Sequence, residues 1–255
     1  MFFANLLNSL VKSACVYHEA GERSRLINIL SNMHLGGLCP QALPIWAWKR
    51  IVFPDIKSCS KSYYIDSNNH LYGLTPSLPQ LYPNVHVVHI VRDPRGYVRS
   101  HINWSKHRLK SFIANYLTPF WQPNAFLLGE MSLSDWTKAS QLERFAWIWN
   151  FKNRFIDQIE KTETPYLRVR FEDLFIGRNP SKHFNTILSF IGYPEVGNIN
   201  ERFQRPVNPT KNRSFPHWNS WSPEQCHKLQ ALCEETMQKY SYGNEANWLA
   251  KTKSQ

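Results

Sequence analysis

The residues best equipped for chemistry lie between Val85 and Ser100, in the run VHVVHIVRDPRGYVRS. An apolar, β-branched stretch stops abruptly at Arg92. Asp93 suits a helix N-cap because its carboxylate can accept from an orphan N–H, and Pro94 suits the first helical position, which needs no donor. A strand that runs straight into a helix N-terminus offers free backbone donors and the positive end of the helix dipole. Arg92, Arg95, Arg99 and the hydroxyl of Ser100 crowd that terminus. The chemistry this suits is anion binding, with phosphate as the natural guest. Arg92 weighs most, because it ends the strand, where open α/β sheets place their ligands.

Several elements must position that junction. Phe3, Leu6, Leu7 and Leu10 fall on one face of a helix expected from Phe2 to about Ala14. Residues 36–62, rich in Gly and Pro, read as irregular or short-helical, and Leu71 to Tyr82 as a helical fragment before the central strand. From Ser134 to about Thr162 runs the longest helical periodicity, with Leu142, Phe145, Ala146, Trp149, Phe155, Ile156 and Ile159 as core positions. Tyr166 to Phe171 alternates as a second strand, Asn179-Pro180 opens a helix that Gly192 closes, and a polar loop spans Gln204 to Trp221. Ser222 and Gln225 form a capping box that opens a last helix to about Tyr240, stopped by Gly243. Helices alternating with apolar strands indicate an α/β domain with a mainly parallel sheet.

With 255 residues, 42% of them hydrophobic, the chain can bury one full core, and residues 1–255 read as a single domain. A net charge of +11 favours an anionic partner, but the basic residues are dispersed and the aromatics fall at core spacing, against a nucleic-acid-binding module. No apolar run approaches the roughly 20 residues of a membrane span, and the first residues suit a core helix better than a signal peptide, so the chain as it stands reads as cytoplasmic. Compartment and oligomeric state stay open. The five cysteines form no metal-binding spacing and read as reduced thiols; no metal is expected.

Arg92-Asp-Pro-Arg-Gly-Tyr-Val-Arg-Ser100 resembles the 3′-phosphate motif of sulfotransferases that use 3′-phosphoadenosine 5′-phosphosulfate (PAPS). Further blocks follow that family's order: Tyr64-Ile-Asp-Ser, Leu81-Tyr-Pro-Asn-Val, Val169-Arg-Phe-Glu172-Asp173-Leu174, Phe190-Ile-Gly-Tyr-Pro, and Pro206-Val-Asn208 with Trp218 and Tyr240-Ser-Tyr-Gly243. The resemblance implies a three-layer fold like that of P-loop nucleoside triphosphatases, with a mainly parallel central sheet flanked by helices. It also implies that Arg92 and Ser100 hold the 3′-phosphate, and that Lys211, Arg213 or His217 closes over the nucleotide. Phe171 stands where many relatives carry Tyr. The family's opening strand and its Gly-containing loop, which cradles the 5′-phosphosulfate, are absent: Met1-Phe-Phe-Ala-Asn-Leu-Leu resembles the helix that follows them. A central strand is therefore expected to be missing, with weakened PAPS binding and catalysis, through truncation or in a non-catalytic relative; the intact downstream order favours truncation.

The resemblance also implies sulfuryl transfer to a hydroxyl on a carbohydrate, a tyrosyl peptide or a small metabolite. Glu19 stands where tyrosylprotein-type and several carbohydrate enzymes carry their general base, and His18 is the alternative. Asp66 and Asn68 are expected to shape a turn, and Glu172-Asp173 to organise the junction after its strand. The competing reading is a non-catalytic nucleotide- or polyanion-binding protein. A kinase lacks its phosphate loop in this chain.

Overall fold

The computed structural model describes residues 2–19, 23–106, 120–203 and 214–253. Its strands are short and parallel. β1 (Ala14–His18) pairs with β2 (Tyr63–Ser67), from Ala14 opposite Tyr63 to His18 opposite Ser67. β3 (Val87–Val91) pairs with β4 (Tyr166–Arg170), from Val87 opposite Tyr166 to Val91 opposite Arg170. The mixed α/β class with parallel strands is as expected, but in place of one continuous sheet the described strands form two separate pairs.

One apolar cluster nevertheless spans both pairs. Ala14 and Val16, Tyr63 and Ile65, Val88 and Ile90, and Leu167 and Val169 all belong to it. Leu6 and Leu7 of the Phe2–Leu10 helix and Phe184, Ile187 and Leu188 of the Pro180–Phe190 helix complete the packing. The first helix ends at Leu10, short of the expected Ala14, because the residues from Ala14 join a strand instead. A second cluster joins Val91, Val98 and Ile102 to Leu142, Phe145 and Trp149 and to Leu229 and Trp248, so Phe145 and Trp149 are core as expected, while Phe155 and Ile156 are only partly buried. A third packs Ile27, Ala47, Trp48, Val52 and Leu74, built partly from helices Ala42–Ile51 and Phe53–Ser58 in the Gly- and Pro-rich region.

The long periodic stretch is not one helix. Ser132 accepts from the Asp135 N–H to start Leu133–Lys138, the chain turns extended at Ala139, and Ser140 with Glu143 forms a capping box opening Gln141–Ile156. Two N-cap signals eight residues apart break the periodicity. Ser222 and Gln225 form the expected capping box on Pro223–Lys239, and Gly243 takes the left-handed φ of 82° that a side chain rarely adopts.

Two cross-links tie these elements. Asp157 accepts from the Tyr166 hydroxyl (3.0 Å) and Arg168 (3.0 Å) on β4, and from Lys239 (2.6 Å) and the Tyr240 hydroxyl (2.8 Å) at the end of the last long helix. Cys15 of β1 is disulfide-bonded to Cys59, just ahead of β2, which corrects the reading of all five cysteines as reduced. Parallel pairing sets Ala14 beside Tyr63, and that tertiary contact, not the spacing of 44, brings the two sulfurs together. Cys39, Cys226 and Cys233 are free. Among the described residues no helix is long and apolar enough to cross a membrane.

Candidate anion site

The end of β3 and the start of the Pro94–Lys106 helix form the expected junction. Asp93 Oδ1 accepts from the Arg95 N–H at 2.8 Å, the N-cap bond its position predicts. Glu172 braces the same turn: Oε1 accepts from the Asp93 N–H (3.1 Å) and Oε2 from the Tyr242 hydroxyl (2.5 Å). Trp149 Nε1 donates to the Arg92 carbonyl at 2.8 Å. Strand, helix and C-terminal segment thus hold the backbone of Arg92 from three sides, and Glu172 organises the junction as its place after β4 suggests.

The Arg92 side chain is left available. Its guanidinium stacks 4.8 Å from the Phe171 ring centre, and a Cβ on Gly96 would stand 3.4 Å from Arg92 Nε. It makes no hydrogen bond or ion pair with the described residues. Burial disfavours its charge, while Glu172 and Asp93 favour it. Gly96 and Ser100 are four residues apart on one helix face, so the Ser100 hydroxyl follows one turn beyond the guanidinium. It too is free of hydrogen bonds among the described residues. A planar fork and a hydroxyl at a helix N-terminus suit a phosphate.

Arg95 does not share this role. It is 1% exposed, its guanidinium bonded to Asp93 and Glu245 and packed against both Trp218 (4.5 Å) and Trp248 (5.0 Å). It is a structural cation joining the helix start to the C-terminal helix. Arg99 Nε donates to the Phe215 carbonyl at 3.4 Å. His217 lies close enough to Arg99, Arg95 and Asp93 to feel all three charges, and burial, helped by the two arginines, lowers its pKa. Lys211 and Arg213 lie outside the described residues.

Glu19 and His18 close the end of β1. Glu19 adopts a φ of 51°, an unusual left-handed conformation for a non-glycine residue. Its Oε1 accepts from Asn69 Nδ2 at 2.9 Å, and Oε2 stands 3.9 Å from His70 Nδ1. His18 Nδ1 donates to the Ser67 carbonyl at 2.9 Å. Asn68 shapes the turn after β2, accepting from the His70 N–H and donating to Asp66 Oδ2, both at 2.9 Å.

Lys152, His70, His101 and Tyr97 were not singled out from sequence. Lys152 projects from the Gln141–Ile156 helix with its ammonium 4.7 Å from the ring centre of the buried Tyr72. Burial brings that ammonium down to about 8, with Glu19 pulling the other way. Burial also lowers His70 to about 4 and His101 to about 3, and the charge of Lys152 adds to both. His101, its ring centre 4.1 Å from that of Tyr97, feels Arg92 as well. The sequence carries one trace of this: a lysine set among Trp149, Phe151 and Phe155. Burial perturbs these groups in the way that makes a residue a candidate for function. Among the described residues no group of three or more His, Cys, Asp or Glu side chains could hold a metal ion.

No family model, curated protein or solved structure matches this chain.

Proposed function

We propose that this protein is of the PAPS-dependent sulfotransferase type and that Arg92 anchors the 3′-phosphate of the nucleotide. The observation that carries the reading is the Arg92 guanidinium, stacked on Phe171 beside a helix N-terminus whose backbone is braced by Trp149 and Glu172, yet left without a hydrogen-bonding partner among the described residues. Such a desolvated, oriented fork gains two charge-assisted bonds from a phosphate at little ordering cost. The Ser100 hydroxyl adds a donor on the same face. Two parallel strand pairs sharing one apolar cluster support a layered sheet that lacks an internal strand.

In the reaction, the acceptor hydroxyl oxygen forms a bond to sulfur while the bond from sulfur to the phosphate oxygen breaks, its electron pair leaving on the phosphate. The hydroxyl proton passes to the Glu19 carboxylate, which its bond to Asn69 orients at the end of β1. His18, whose Nδ1 is committed to Ser67, is the alternative base through Nε2. The acceptor is a hydroxyl on a carbohydrate, a tyrosyl peptide or a small metabolite. The Cys15–Cys59 bond favours an oxidising compartment over the cytoplasm.

A second reading, a non-catalytic nucleotide- or polyanion-binding protein, is favoured by one observation: the net charge of +11, which suits an anionic partner with or without chemistry. Calorimetry with adenosine 3′,5′-bisphosphate tests the nucleotide site common to both, and its failure to bind would overturn them as stated. Transfer of radiolabelled sulfate from PAPS to a panel of hydroxyl acceptors then separates enzyme from binder.

A further inference from the structure

We infer that the outward face of the Ala42–Ile51 helix is a docking surface for an anionic lipid bilayer, on which the protein rests without spanning it. At about 100° per residue this helix divides cleanly into two faces. Pro44, Ala47 and Trp48 fall on one side and are buried, with Ala47 and Trp48 packed among Ile27, Val52 and Leu74. Leu43, Trp46, Lys49 and Arg50 fall on the other and are exposed, Trp46 by 53% and Leu43 by 40%. The core takes one tryptophan of this helix and leaves its neighbour two residues away in solvent. Among the described residues neither Lys49 nor Arg50 has an ion pair or a hydrogen-bonded side-chain partner.

Single exposed leucines are ordinary, but these side chains are grouped. Leu26, Leu38, Leu43 and Trp46 are four of the eight large apolar side chains exposed among the described residues. They lie on this helix, on the Arg25–Leu35 helix that shares its apolar cluster, and in the turn between the two. The charge of the same region selects the occupant. From Arg25 to Ser58 the chain carries Arg25, Lys49, Arg50 and Lys57 against a single acid, Asp55, and Arg23 pairs with that acid. Tryptophan and leucine flanked by lysine and arginine suit a headgroup layer. The apolar side chains enter the boundary of headgroups and acyl chains, while the long cationic side chains reach the lipid phosphates. A second copy of the chain fits less well, because a two-fold contact through Trp46 would bring Lys49 and Arg50 against their own like charges. The surface owes nothing to Arg92 or to the nucleotide reading.

Phosphatidylcholine vesicles with and without phosphatidylserine are the probe, read by co-sedimentation with the full chain. Binding is expected to the vesicles that contain phosphatidylserine, and it should weaken in high salt. Leu43→Ser/Trp46→Ser changes no charge and should lower the partition coefficient about tenfold. Lys49→Gln/Arg50→Gln should lower it roughly thirtyfold. Arg154→Gln/Lys161→Gln removes the same charge from exposed positions elsewhere and should leave it near the parent value. All three variants should melt with the parent, because every substituted side chain is exposed. Equal binding to vesicles without phosphatidylserine, or an unchanged partition coefficient in Leu43→Ser/Trp46→Ser, overturns the surface. So does an equal loss in Arg154→Gln/Lys161→Gln, which would mean attraction by net charge alone. A parent that sediments as a dimer, with Leu43→Ser/Trp46→Ser a monomer, would assign the face to a second copy instead. A lower melting temperature in that variant would assign the two side chains to the fold and overturn the surface as well.

Discussion

The Arg92 guanidinium lies 4.8 Å from the centre of the Phe171 ring. Arg92 follows the last residue of β3 and Phe171 follows the last residue of β4, so parallel pairing of the two strands delivers the ring under the cation. An aromatic face orients a guanidinium without occupying its N–H groups, which leaves the fork free for a ligand.

Arg92→Ala should weaken adenosine 3′,5′-bisphosphate binding roughly ten- to hundredfold, the cost of losing a charge-assisted hydrogen-bonding partner. Phe171→Leu should cost less, since the cation–π term is about 0.5–2 kcal/mol. Titration calorimetry reads both. The melting temperature of Arg92→Ala should move little, because the guanidinium makes no hydrogen bond or ion pair with the described residues and gives up only its stack on Phe171. Equal affinity in Arg92→Ala would remove the residue from the site.

Glu19→Gln keeps the shape and the bond from Asn69 with a neutral acceptor, but cannot take a proton. In a chain carrying a Gly-rich phosphosulfate loop ahead of the Phe2–Leu10 helix, turnover should fall by about 10²–10⁴-fold while bisphosphate affinity stays near the parent value. Turnover equal to the parent would exclude Glu19 as base and direct attention to His18.

The Cys15–Cys59 bond makes a count that is simple to check. Unfolded without reductant, the chain should alkylate at three cysteines, namely Cys39, Cys226 and Cys233. With reductant it should alkylate at all five. With 44 residues between its ends, the cross-link should contribute about 4 kcal/mol in the chain-entropy account. Chemical denaturation of Cys15→Ser/Cys59→Ser measures that loss; five reactive thiols without reductant would remove the bond and the compartment it suggests.

Asp157 predicts an acid limit to stability. Burial would raise its carboxyl pKa, but His89, Lys239, Tyr240 and Arg168 outweigh that and hold it well below the usual range. A depressed folded-state value means that the contribution is complete above the unfolded value of about 4 and is lost as the pH falls below it. Denaturation midpoints should therefore drop steeply between about pH 5 and 2, and less steeply in Asp157→Asn. At neutral pH that substitution should cost roughly 2–4 kcal/mol, since it breaks an ionic cluster around a buried carboxylate on one side only. Parallel pH curves for the two proteins would assign the acid limit to other groups.

The local sequence determined the pieces. Apolar periodicity marked the helices, Asp93-Pro94 marked the helix start, and Ser222 with Gln225 marked the last capping box, because capping and amphipathicity act within a few residues. The arginines near the junction were legible in the same way, but not their division of labour. Arg92 and Arg95 are three residues apart and chemically identical. Only the packing of Trp218, Trp248 and Glu245, more than a hundred residues away, makes Arg95 a buried strut and leaves Arg92 open to a ligand. Strand pairing likewise decided which cysteines meet, and helix packing decided that Lys152 would lie beside Tyr72 and near Glu19. Residue type sets what a side chain can do; its desolvation and its partners, which depend on contacts distant in sequence, set what remains for it to do.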